Sequence, residues 1–209
     1  MAWKNTTLPA GDRATLLINV MNTTEKAMII GEHFQNIKNV SDWTGGTTAI
    51  DRLDVPQVTY NDGPQGFRDE MHHGSSTAWP SVLAHGQSWD TELIEEWGKM
   101  MGAEFKAKGA GVQLGPGMNV MRVGVNGRDF EYVSGEDPFV GATLVAPLVK
   151  GIQSNGILAN MKHYINNNQE INRIGQSANI DERTQVEMYM PPFESAIKAG
   201  VASGMCSYN

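Results

Sequence analysis

The residues best suited to chemistry in this chain are Lys162 and His163, adjacent in the run Ile157-Leu158-Ala159-Asn160-Met161-Lys162-His163-Tyr164. Neighbouring side chains on a strand face opposite sides, so the two can serve one ligand only where the strand is leaving its sheet. Two hydrogen-bond donors placed together at such a strand end suit the recognition of hydroxyl groups. The alternatives for the histidine are a structural role or metal ligation. Downstream, Asn166-Asn167-Asn168-Gln169-Glu170 adds uncharged hydrogen-bonding groups of the kind carbohydrate sites use.

Two further clusters carry charge. In Asp62-Gly63-Pro64-Gln65-Gly66-Phe67-Arg68, glycines and a proline fix a tight backbone that presents a carboxylate and a guanidinium. Asp62 can accept from two vicinal sugar hydroxyls, and Arg68 can donate to another or brace Asp62. An ordinary turn with a local ion pair fits the same residues. Gly127-Arg128-Asp129-Phe130-Glu131-Tyr132 and Ser134-Gly135-Glu136-Asp137-Pro138 lie in a long loop, and long ordered loops are usually functional. There Arg128 can donate to substrate hydroxyls while Glu131 holds it; a solvated charge run is the plain alternative.

Other motifs point away from common chemistries. Gly115-Pro116-Gly117-Met118-Asn119 half-matches a dinucleotide loop, but Pro116 and Asn119 intrude and Val120 stands where the third glycine belongs. It reads better as a loop that lets backbone pass close to a ligand. His72-His73 beside Asp69 and Glu70 offers metal-type donors without the spacing that puts two histidines on one helix face. No Gly-x-Ser-x-Gly occurs, and Cys206, in an apolar run, is expected to be an inert buried thiol. No metal or cofactor is called for.

Short apolar runs at 55–62, 112–119, 157–164 and 201–209 each end in one of these polar clusters, with helical periodicity between them. That alternation predicts a parallel sheet, and in closed parallel barrels the working residues sit at the carboxyl ends of the strands. Strands are expected at about 55–60, 111–114, 157–162 and 201–206. The clearest helix spans 90–108, where Trp89, Leu93, Trp97, Met100, Met101 and Phe105 form an apolar stripe. Asp90 is its N-cap, Lys106 and Lys108 suit its carboxyl end, and Gly109 stops it. Helices are also expected at 139–154, despite Pro147, and at 181–199, in two pieces around Pro191-Pro192. Residues 44–48 read as a loop and 1–24 as a polar lead-in.

With 209 residues, 40% hydrophobic and 19% charged, the chain can bury one domain but falls short of the roughly 250 residues of a complete eight-fold barrel. A net charge of -7 argues against a nucleic-acid partner and fits a neutral substrate. A single cysteine excludes an internal disulfide framework, and no apolar stretch approaches the roughly 18 residues of a membrane span. The N-terminus lacks the charged-then-apolar order of a signal peptide, whereas Asn-x-Ser/Thr triplets at Asn5, Asn22 and Asn39 fit a secreted glycoprotein. Oligomeric state is not written in the sequence.

Taken together, DGPQGFR (62–68), LGPGMNVMR (114–122), GRDFEYVSGEDP (127–138), MKHYINNNQE (161–170) and MCSYN (205–209) resemble the N-terminal barrel domain of family 3 glycoside hydrolases, the β-glucosidase and β-xylosidase family. The resemblance covers residues 25–209, with the motifs in family order. It implies an α/β fold, here an incomplete (β/α)8 TIM-type barrel, which in the family precedes an α/β sandwich domain. It also implies hydrolysis of terminal non-reducing β-D-glucosyl or related residues by a retaining mechanism, with nucleophile and acid/base carboxylates about 5–5.5 Å apart. The partner implied is an oligosaccharide or β-glucoside. Asp62, Arg68, Arg128, Lys162, His163 and Tyr208 are then expected to line the terminal-sugar subsite, with Met205 beside them and Glu131 supporting Arg128.

The family's nucleophile stands in a Ser-Asp-Trp-like segment after the MCSYN-type motif, and its acid/base glutamate in the second domain. Both catalytic carboxylates are therefore expected beyond Asn209, and the chain is expected to be a fragment, inactive alone. Ser41-Asp42-Trp43 spells the same tripeptide ahead of the first motif and is a decoy. A non-catalytic carbohydrate-binding relative, and a metal-dependent barrel enzyme using His72, His73 or His163, are the other readings.

Overall fold

Short apolar strands alternating with amphipathic helices can bury both kinds of face only by layering helices on a parallel sheet. In the computed structural model, which describes residues 1–30 and 43–208, two compact units form, Met1–Thr59 and Tyr60–Asn209. Ser41 and Asp42 of the Ser-Asp-Trp string, and the triplet at Asn39, lie outside the described residues.

In the first unit, the stretch expected as a lead-in carries α1 (Ala10–Val20) and the start of α2 (Thr23–Ile30). Asn22 caps α2: its side-chain oxygen accepts the Glu25 N–H at 2.9 Å, and the Glu25 carboxylate accepts the Asn22 N–H at 2.9 Å. Arg52 closes on the same carboxylate at 2.7 Å. Met21, Ile50 and Leu53 make a small core with Leu17, Ile29 and Val55. The loop expected at 44–48 contains a two-residue strand, β1 (Gly45–Gly46), where a Cβ on Gly46 would stand 2.6 Å from the Val58 carbonyl oxygen. The helix α1 escaped notice because Leu16, Ile18 and Val20 are exposed, so no clean apolar stripe marks it.

Four strands follow, β2 (Thr59–Asp62), β3 (Val112–Leu114), β4 (Leu158–Tyr164) and β5 (Ser203–Cys206), each parallel to the next. Asp62 stands opposite Leu114, and Gln113 opposite Ala159. The β4–β5 register shifts between Met161 and Tyr164, the two residues that bracket Lys162 and His163. Expected strand positions thus hold to within a few residues, but β4 runs on to Tyr164, so the Lys162-His163 pair lies inside the strand at an irregularity rather than beyond its end. Such a bulge re-aims side chains that a regular pleat would send to opposite faces.

Between the strands lie α3 (Val82–Gly86), α4 (Thr91–Ala107), α5 (Pro138–Gln153), and a helical run made of α6 (Glu182–Thr184), a π-helical turn (Gln185–Tyr189) and α7 (Pro191–Lys198). Asp90 accepts from the N–H groups of Glu92 and Leu93, as expected of an N-cap. The buried face of α4 is Ile94, Trp97, Met101 and Phe105; Trp89, Leu93 and Met100, assigned to the stripe from their spacing, are exposed. The reason is helix–helix contact. A Cβ on Gly98 or Gly102 would meet α5 carbonyl oxygens of Leu148 or Ile152 at 2.8 and 2.6 Å, and one on Gly151 would meet that of Glu95 at 2.3 Å. The helices therefore touch along glycines that a count of apolar residues does not see. Pro147 is accommodated inside a continuous α5, and Pro191 opens α7. No helix of the described residues is long and apolar enough to cross a membrane.

Candidate functional site

The carboxyl end of β2 delivers Asp62 into a turn closed by backbone bonds from Gly63 N–H to Gly66 (3.0 Å) and from Arg68 N–H to Asp62 (2.9 Å). Buried Phe67 anchors the turn edge-on against Phe105 of α4, with ring centroids 5.2 Å apart. Asp62 Oδ2 and Arg68 Nη1 pair at 2.9 Å, with side chains 30% and 50% exposed, and Arg68 also reaches Glu70 at 3.3 Å. The ion pair expected as the plain alternative therefore exists, on a turn that leaves both groups open to solvent.

Beyond β3 the chain passes three other segments at close range. Gln113 donates to the Gly63 carbonyl at 3.3 Å, Lys162 N–H to Pro116 at 3.1 Å, Met118 N–H to Lys162 at 3.0 Å and Val133 N–H to Gly117 at 3.1 Å. A Cβ on Gly117 would stand 2.3 Å from the Glu131 carbonyl oxygen, so only glycine permits this crossing. The loop expected to let backbone pass closely does so against its own chain.

A 3-10 turn, Asp129–Glu131, places Arg128 and Glu131 three residues apart on one side. Arg128 Nε donates to Glu131 Oε1, Arg128 Nη1 pairs with Glu170 at 3.1 Å, and Lys162 Nζ pairs with Glu131 Oε2 at 3.1 Å. Arg128 Nη2 lies 3.2 Å from His163 Nε2, and His163 Nδ1 lies 2.9 Å from the Tyr132 hydroxyl, which donates to the Asn167 carbonyl at 2.7 Å. Asn119 clamps the His163 backbone from both sides, at 2.8 and 3.2 Å. Lys162 and His163 are each only 4% exposed. Burial, then the Lys162 and Arg128 charges, depresses the His163 imidazole from its usual 6.5 to about 2, so it is neutral at physiological pH. Burial and the neighbouring Glu131 push the Tyr132 phenol up.

Four of the expected site residues, Arg128, Glu131, Lys162 and His163, thus meet in one buried knot, and Asp62 and Arg68 pair with each other on the turn after β2. Met205 is half-buried on β5. Tyr208 is exposed, and the Arg173 guanidinium stands 5.3 Å from its ring; Arg173 in turn pairs with Glu170 at 3.1 Å. Cys206 is exposed, against expectation, because the alternation of β5 leaves its side uncovered. Asp69 pairs with Lys108 at 3.2 Å and with Ser75 and His72, and among the described residues no three His, Cys, Asp or Glu converge for a metal ion. Glu170, Tyr132, Asn119 and Arg173 were given no roles from sequence. Glu170 stood within a string read as neutral, and nothing in sequence marks a tyrosine as the partner of a histidine 31 residues away.

A family model described as the glycosyl hydrolase family 3 N terminal domain matches residues 18–209. The chain belongs to glycosyl hydrolase family 3. This family 3 chain is 43% identical to a β-glucosidase of Rhizobium radiobacter over 186 residues, which cover 87% of the chain and 22% of that protein. It is 39% identical to thermostable β-glucosidase B of Acetivibrio thermocellus over 173 residues, 78% of the chain and 23% of the relative. Among solved structures, DesR, a β-glucosidase from Streptomyces venezuelae in complex with D-glucose, superposes with a TM-score of 0.87 at 36% identity, over 94% of the family 3 chain and 24% of its own. β-Glucosidase 3B from Thermotoga neapolitana in complex with α-D-glucose gives 0.85 at 34% identity, over 94% and 29%. The chain therefore spans about a quarter of the length of the proteins it matches.

Proposed function

We propose that this family 3 chain is the sugar-holding part of a retaining exo-β-glucosidase, built as part of a TIM-type barrel. The observation that supports it best is the arrangement of charge at two strand ends: a reachable Asp62–Arg68 pair and a neutral His163 held among Lys162, Arg128 and Glu131. Carboxylates accept from sugar hydroxyls and fixed guanidinium and ammonium groups donate to them, so both hydrogen-bonding senses of a hydroxyl are met. Asp62, Arg68, Arg128, Lys162, His163 and Tyr208 bind the terminal glucose, Met205 forms a neighbouring wall, and Glu131 supports Arg128. The structural neighbours crystallised with glucose lend support, as do the relatives named β-glucosidases.

The nucleophile and the acid/base carboxyl come from outside these 209 residues, and a double displacement proceeds through a covalent glycosyl-enzyme. The test is turnover of an aryl β-glucoside by the complete protein, with the anomeric configuration of released glucose followed by NMR. Retained configuration is expected. Inverted product would remove the mechanism, and glucose binding without turnover would make the chain part of a non-catalytic binding protein instead.

A further inference from the structure

We propose that Tyr132 is a positioning residue that holds His163 as its Nδ1–H tautomer and, through that tautomer, aims Arg128 at the substrate. The last link rests on the β-glucosidase reading above; the tautomer does not. Guanidinium nitrogens only donate, so the 3.2 Å contact of Arg128 Nη2 with His163 Nε2 requires a lone pair on Nε2. A backbone carbonyl only accepts, so the Tyr132 proton points at Asn167, 2.7 Å away. The hydroxyl oxygen is then the acceptor 2.9 Å from His163 Nδ1, and Nδ1 carries the ring proton.

The result is a directional chain: Arg128 N–H to Nε2, Nδ1–H to the Tyr132 oxygen, Tyr132 O–H to the Asn167 carbonyl. Reversing any one member sets two hydrogens or two lone pairs face to face. Asn119 fixes the backbone of His163 but touches neither ring nitrogen, so the tautomer is set by Tyr132 at Nδ1 together with Arg128 at Nε2; the Tyr132 ring meets the imidazole edge-to-face at 88°. Arg128 is pinned by Glu131, Glu170 and Nε2 together. Were Nε2 protonated, its hydrogen would oppose that of Arg128 Nη2 and turn the guanidinium away from where its remaining N–H groups point.

The test combines 15N NMR of the His163 ring in the full chain with kinetics of Tyr132→Phe. In the unsubstituted protein, Nδ1 is expected to be protonated and Nε2 bare at neutral pH; the reverse pattern would overturn the proposal even if the variant fails to fold. Tyr132→Phe removes the Nδ1 acceptor, so the Nε2–H form is expected to grow in and kcat/KM on aryl β-glucoside to fall about tenfold. A merely structural tyrosine would lower stability and leave the tautomer unchanged, and that result, with kcat/KM within about twofold, would sink the assignment. If the unsubstituted protein neither cleaves nor binds β-glucoside, the functional reading fails while the tautomer measurement still stands.

Discussion

The ends of β2 and β4 solve opposite problems with the same residue types. At β4, Arg128, Lys162, Glu131 and Glu170 are interlocked, and the two residues on the strand are almost wholly removed from water. At β2, Arg68 pairs with Asp62 and Glu70 on a turn where Arg68 is half exposed and Asp62 about a third. A buried ionic knot is costly to break from within, because each lost partner strands a charge. An exposed pair contributes little to stability and can exchange its partner for a ligand at small cost. On the proposed sugar-binding reading, the β4 end is the preorganised wall and the β2 end the part that responds.

That contrast can be broken or sharpened. Glu131→Ala, which takes the ion-pair partner from buried Lys162 and leaves Arg128 to Glu170 alone, is expected to lower unfolding free energy by about 4 kcal/mol in urea titration. A loss under about 1 kcal/mol would mean the knot is hydrated after all. Asp62→Ala is expected to leave stability within about 0.5 kcal/mol but to cost about 3 kcal/mol in kcat/KM on an aryl β-glucoside, since a charged acceptor facing hydroxyls is removed. Near-normal kcat/KM would take Asp62 out of the subsite.

The third concerns pH. The folded imidazole of His163 is depressed from 6.5 to about 2, so the unfolded chain takes up the proton first. The contribution is fully present above pH 6.5 and is lost as pH falls, at up to about 1.4 kcal/mol per pH unit from this residue. His163→Gln should remove that component of the slope between pH 7 and pH 5, and an unchanged slope would place the titration elsewhere. Smallest of all, Glu70→Gln, at the outer edge of the Arg68 pair, should change stability by less than about 0.5 kcal/mol.

Much of this was legible in sequence because strand ends announce themselves. Apolar runs at 55–62, 112–119 and 157–164 located three strands to within a few residues, and Asp90 with Gly109 bounded α4. What stayed hidden depends on shape or on long-range pairing. Leu93 and Met100 were expected to be inward because they are apolar, yet glycines chose the contact face. Cys206 was expected to be covered because its neighbours are apolar, but alternation on β5 turns it outward. Tyr132, Asn119 and Glu170 join the site through partners dozens of residues away, which no local pattern encodes.

The glycine seam between α4 and α5 has a consequence for how this chain can vary. No residue is smaller than glycine, so every coding change at Gly98, Gly102 or Gly151 adds bulk against a backbone carbonyl that has no rotamer with which to retreat. A saturation library should show three near-empty columns there, beside permissive ones at exposed Leu93 and Met100. The distance between the two helices is therefore set by backbone rather than by side chains, and single substitutions have no way to widen it without moving a whole helix.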